Sequence, residues 1–151
     1  MPPVAKSEET SDAGRPEPEG SRPRVSGVLE TVLYFTDDGR ARRFYQDLLG
    51  MGLVGEEPGR SLFFRAGESV FLLFKAQTTL KGDVLPAHGA TGPIHTCLLV
   101  PPEDYERWKA YLPSQGVPVL REVCWDRGLS FYFHDPDGNL LEIANADIWP
   151  R

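Results

Sequence analysis

Ser130-Phe131-Tyr132-Phe133-His134-Asp135-Pro136-Asp137-Gly138-Asn139-Leu140-Leu141-Glu142-Ile143-Ala144 reads as strand, tight turn, strand. The Phe-Tyr-Phe run suits a pleated, half-buried surface. Asp-Pro-Asp-Gly-Asn is a dense turn signal: Pro fixes φ, Gly supplies a positive φ, and Asp and Asn side chains bond locally to the backbone. Leu140 to Ala144 then resumes a β-type run with one carboxylate in it. A carboxylate inside an apolar strand is costly unless something compensates it. Glu142 therefore asks for partners elsewhere in the chain.

Upstream of this hairpin, Ile94 to Val100 has the composition of a strand. Pro101-Pro102-Glu103-Asp104 opens a helix through Tyr105, Trp108 and Leu112, and Gln115-Gly116 closes it. Val117 to Val123 follows as a strand that Pro118 interrupts early. With the hairpin, this half reads β-α-β-β-β. The first half spells the same order. Val28 to Thr36 is a strand, and Asp37-Asp38-Gly39 starts a helix. Ala41, Phe44, Tyr45, Leu48 and Leu49 recur at helical spacing, and Gly50-Met51-Gly52 stops the run. Leu53 to Gly55 is a short strand, and Ser61–Arg65 with Val70–Phe74 forms a hairpin. A repeat of this kind is an architectural signal. Glu30 and His95 hold corresponding places in the two first strands, and Leu72 and Glu142 in the two last strands.

Neither half has core enough to stand comfortably alone, so the two are expected to pack or join into one curved mixed sheet. The expectation is one α+β domain over residues 26–151. It comprises module one at 26–80, a Gly- and Pro-containing linker at 81–92, and module two at 93–149. Residues 1–25 set prolines among Glu, Ser, Arg and Gly, with too little apolar surface to bury, and are expected to be a disordered tail.

The chain is 40% hydrophobic and carries a formal net charge of −6 with a pI near 5.1. That balance argues against nucleic acid, which needs a basic face. Cys97 and Cys124 make no disulfide framework and suit a reducing compartment. No apolar run reaches the roughly 18 residues of a membrane span. The polar, proline-rich start has no signal-peptide core. The expectation is a cytoplasmic protein without a membrane partner.

Three stretches together resemble the vicinal oxygen chelate superfamily, which includes glyoxalase I, extradiol dioxygenases, and fosfomycin- and bleomycin-resistance proteins. Leu33-Tyr34-Phe35-Thr36-Asp37, with Arg43-Phe44-Tyr45 and Leu48-Leu49-Gly50, is similar to its first strand, helix and Leu-Gly turn. Gly92-Pro93-Ile94-His95 is similar to the opening of its second module. Phe131 to Asn139, with Glu142, is similar to its last hairpin. The resemblance spans about residues 26–149 and implies tandem βαβββ modules in a glyoxalase-like half-barrel. One fold of this kind carries many chemistries.

What the resemblance implies about a site is specific. The superfamily holds its metal with residues from the first and last strands of each module, which here are Glu30, Leu72, His95 and Glu142. Leu72 cannot ligate, which speaks against glyoxalase I itself and leaves a Glu30-His95-Glu142 set. One imidazole and two carboxylates leave coordination positions open for water and substrate. Such ligands suit Fe, Mn, Zn, Ni or Co without choosing among them. Tyr132, ten residues before Glu142, resembles the active-site Tyr of extradiol dioxygenases. Its alternative is a partly buried strand Tyr. His88 is a candidate acid/base group or a plain loop His. Cys97 shares a strand face with His95 and can line a pocket with Leu72. Trp125 can stack on a flat ligand, and Arg127 can pair an anion. The expected function is metal-dependent lyase, isomerase or dioxygenase chemistry on a small oxygen-bearing substrate, in a homodimer. The alternative is a metal-free small-molecule binding protein of the bleomycin-resistance type.

Overall fold

The computed structural model describes residues 23–82, 85–146 and 148–149. The expected tail lies outside them as far as residue 22. Along the described chain run β1 (Glu30–Phe35), α1 (Asp38–Arg42), a π-helical turn (Arg43–Leu48), β2 (Gly52–Glu57), β3 (Ser61–Ala66), β4 (Ser69–Lys75) and a short α2 (Ala76–Thr79). The second half holds β5 (His95–Leu99), a 3-10 turn (Pro102–Asp104), α3 (Tyr105–Ser114), β6 (Arg121–Trp125), β7 (Gly128–His134) and β8 (Leu140–Ala144). The repeat read from the sequence is thus present, and the chain is α+β.

Each module makes its own four-stranded mixed sheet, in the orders β1-β4-β3-β2 and β5-β8-β7-β6. In both, the first strand runs parallel to the last, which sits inside the sheet. That topology takes Leu72 and Glu142 to the middle of their sheets, one strand from the edge strands that carry Glu30 and His95. No ladder among the described residues joins the two sheets. They share a core instead. Leu33, Phe64, Phe71 and Leu73 from the first module meet Phe131, Phe133, Leu141 and Ile143 from the second in one buried cluster.

Tyr45 ties the halves together. Its ring lies 5.3 Å from Phe71 and 6.1 Å from Phe64, and its hydroxyl donates to Asp135 Oδ2 at 2.6 Å. Burial first, then the Asp135 carboxylate, hold its phenol well above its ordinary titration range. Asp135 also accepts from the amides of Asp137 and Asn139 and from Asn139 Nδ2. The last hairpin's turn is therefore closed by the residue types that signalled it. Asn139 Nδ2 donates on to Tyr34 O, and Thr36 donates through both its amide and hydroxyl to Asp137 Oδ1.

Some boundaries moved. The expected first helix is α-helical only to Arg42, after which Leu49 N–H reaches back five residues to Phe44 O, the bond of a π-turn. β6 begins at Arg121 rather than Val117, because Pro118 has no amide hydrogen to give a ladder. Its far end takes in Trp125, which leaves a two-residue turn at Asp126-Arg127 before β7. No helix among the described residues is long and apolar enough to cross a membrane.

Candidate metal and ligand site

Strand alternation builds the site. On β5, Thr96 and Leu98 turn toward the core, while His95, Cys97 and Leu99 turn to the other face. On β8, Leu141 and Ile143 are buried in the core, at 0% and 2% exposed, and Leu140, Glu142 and Ala144 take the opposite face. Register sets Cys97 beside Glu142 on one side and Tyr132 on the other. Glu142 is thus flanked on both sides at the centre of its sheet and is 4% exposed, although its face of the sheet is open.

His95 Nε2 lies 3.2 Å from Glu142 Oε2. The other ring nitrogen, Nδ1, donates to Leu140 O at 2.9 Å, so in the neutral ring Nε2 carries the free lone pair. That lone pair then faces a carboxylate oxygen, and two acceptors facing each other need a cation or a proton. Glu142 Oε1 is buried and has no hydrogen-bond partner among the described residues. Both facts fit a divalent ion. Two ligand atoms bound to one ion at ~2.1 Å, at right to tetrahedral angles, stand about 3.0–3.4 Å apart. The pair's 3.2 Å spacing falls in that window. The carbonyl that fixes the tautomer is the kind of outer partner a metal-bound histidine uses.

Other residues cluster there. The Tyr132 ring stacks on His95, 5.9 Å between centroids and 29° between planes. Burial raises its phenol's titration, and the Glu142 carboxylate adds to that against a hydrogen bond from Ser130, so Tyr132 is a proton donor at neutral pH. Burial against the sheet, then the Glu142 charge, push the Cys97 thiol up to about 12. A cavity of about 750 Å³ opens over these groups, with Leu99, Trp125, Ile148 and Trp149 on its walls.

The remaining sequence candidates stand elsewhere. Glu30 is exposed at the start of β1 and lines a separate cleft of about 680 Å³ with Arg65 and Glu68. The two hollows meet at Thr96, Cys97 and Leu99. Among the described residues no three of His, Cys, Asp and Glu come together as a metal cluster. Leu72 is 9% exposed in mid-β4, between Val32 and Phe63. His88 lies on the first module, its Nδ1 3.0 Å from the Tyr34 hydroxyl and its ring edge-on to Phe74 at 4.8 Å. Arg127 sits in the turn between β6 and β7, outside the cavity's lining. Leu99 and Ala144 were missed as wall residues. Continuing the alternation four residues from His95 and two from Glu142 finds both. Ile148 and Trp149 come from the segment after the last strand, where no periodicity marks them.

A family model for the Glyoxalase/Bleomycin resistance protein/Dioxygenase superfamily matches residues 27–143. The chain belongs to this superfamily. Among solved structures, the chain is similar to lactoylglutathione lyase from Agrobacterium tumefaciens: 32% identity, 83% of this chain and 98% of the other covered, TM-score 0.78. It is also similar to a protein from the mobile metagenome of V. Pseudocholerae, at 26% identity over 82% of this chain and 97% of that one, TM-score 0.66. A fosfomycin resistance protein from Listeria monocytogenes, solved with Mn(II) and 1S,2S-dihydroxypropylphosphonic acid, shares the fold at 19% identity. That match covers 83% of this chain and 94% of the other, with TM-score 0.63. In this superfamily member, the last hairpin supplies both Glu142 and the ring that stacks on His95.

Proposed function

We propose that this protein is a divalent-metal-dependent enzyme of the glyoxalase type, with His95 and Glu142 as the metal ligands from one chain. The observation that carries the reading is the 3.2 Å approach of Nε2 to Oε2 beside a buried, unpartnered Oε1. The similarity to a lactoylglutathione lyase favours lyase or isomerase chemistry over oxygenation. Glu30 is the third ligand, and it comes from the first module of a second copy, since in its own chain it stands outside the cluster. The protein therefore works as a homodimer with each site shared.

A bound divalent ion would supply Lewis acidity to a chelated substrate oxygen. This chain's residues do the rest. Leu140 O holds the His95 ring so that Nε2 faces inward. Tyr132, protonated at neutral pH, offers its hydroxyl to a substrate oxygen gaining negative charge. The apolar walls exclude water from that oxygen.

Mn(II) titration by calorimetry tests the reading. Wild type is expected to bind about one ion per chain, and His95→Ala or Glu142→Ala to lose binding by about 10- to 100-fold or more. A wild type that binds no divalent ion, yet holds a small molecule equally well in both variants, would point to the metal-free binding protein instead.

A further inference from the structure

The cavity over His95 and Glu142 has a volume of about 750 Å³, inside the roughly 300–1,000 Å³ usual for small-molecule sites. Its polar groups gather at one end, at His95, Glu142 and Tyr132. Trp125 lines it from the edge strand β6, across the sheet from His95 and Leu99 on the other edge strand β5, and Ile148 adds a further apolar wall residue. Trp125 is 41% exposed, yet its ring is not free to swing. Its indole N–H donates to Ser130 Oγ at 2.8 Å, and Ser130 is 0% exposed. A buried anchor thus sets the plane of an open aromatic face, and Tyr132 presents a second ring stacked on His95. Glu142 supplies negative charge, and the exposed Arg121 stands across from Tyr132 at the other end of β6 from Trp125. A flat neutral ring would gain apolar burial and stacking.

We infer that this pocket takes a ligand whose body is flat and apolar, laid against the Trp125 indole, with an oxygen held toward His95 and Glu142. The inference rests on the metal-site reading only for the oxygen end. It separates this chain's ligand from a glutathione conjugate, whose body is peptidic and not flat. Trp125 is the specificity-determining residue.

Calorimetric titration with 2-naphthol and with glutathione, on wild type, Trp125→Ala and Trp125→Phe, tests it. Expected are at least about tenfold tighter binding of 2-naphthol than of glutathione, and a weakening of about tenfold or more in Trp125→Ala. Trp125→Phe keeps a ring and is expected to stay within about threefold of wild type. Trp125 is partly exposed on an edge strand, and circular dichroism of each variant checks its fold. No 2-naphthol binding up to millimolar, glutathione binding as tight or tighter, or unchanged binding in Trp125→Ala would each overturn the inference. A parallel Mn(II) titration separates it from the metal reading. Naphthol binding without Mn(II) binding sinks the metal site and keeps the ligand class, and the reverse does the opposite.

Discussion

Cys97 shows how far a neighbour's charge reaches at this site. Its thiol ordinarily titrates near 9.0 and here near 12, because burial and then Glu142 disfavour the thiolate. At pH 8 that leaves about a thousandth of the usual thiolate, and the thiolate is the species that alkylates. Both cysteines are exposed, yet iodoacetamide at pH 8, followed by peptide mass spectrometry, is expected to label Cys97 far more slowly than Cys124, because its thiolate is disfavoured. The rate at Cys97 should still rise about tenfold per pH unit as far as its pKa. Glu142→Gln removes the charge and is expected to quicken labelling of Cys97. An unchanged rate would mean that burial alone holds the thiol. His95 and Glu142 were legible in the sequence because each stands at a motif position. Their 3.2 Å approach was not, since it depends on a parallel register 47 residues apart in the chain that no local pattern encodes.

The last hairpin carries both the site and the join between modules. Its turn was readable down to Gly138, which has a φ of +82°, and a Cβ built there would meet nothing within 4 Å. The cost of Gly138→Ala is therefore conformational and is expected to be about 1–2 kcal/mol in urea unfolding. Asp135 was readable only as a turn residue, and Tyr45 only as core. Their 2.6 Å hydrogen bond spans 90 residues, and the geometry of the π-turn that presents Tyr45 leaves no sequence periodicity of its own. Tyr45→Phe leaves Asp135 three other donors and keeps the ring packing against Phe64 and Phe71. The expected loss is about 2 kcal/mol in the same assay, the scale for a hydrogen bond to a charged group. A loss below about 0.5 kcal/mol would show that the joint does not depend on this bond.

At the scale of the molecule, the repeat was legible because each module spells its own β-α-β-β-β in local signals. The relation between modules was not, because it depends on which faces pack. Pooling the aromatic residues of both halves into one core turns Glu30's strand and His95's strand into edges of separate sheets. If the site draws Glu30 from a second copy, as proposed, a closed two-fold pair gives two such sites. That arrangement makes a quantitative prediction. Glu30→Ala chains and His95→Ala chains each lack a ligand in every site of their own homodimers. In a heterodimer, the His95→Ala chain lends Glu30 to the Glu30→Ala chain's intact His95 and Glu142, which restores one site of two. Chains unfolded together in equal amounts and refolded give half heterodimers at random, so tight Mn(II) binding is expected to return to about one quarter of wild type. Light scattering of the same sample should give a dimer mass. If each site lay within one chain, every mixture would stay as empty as its parents. A monomeric wild type at micromolar concentration would sink the shared site outright.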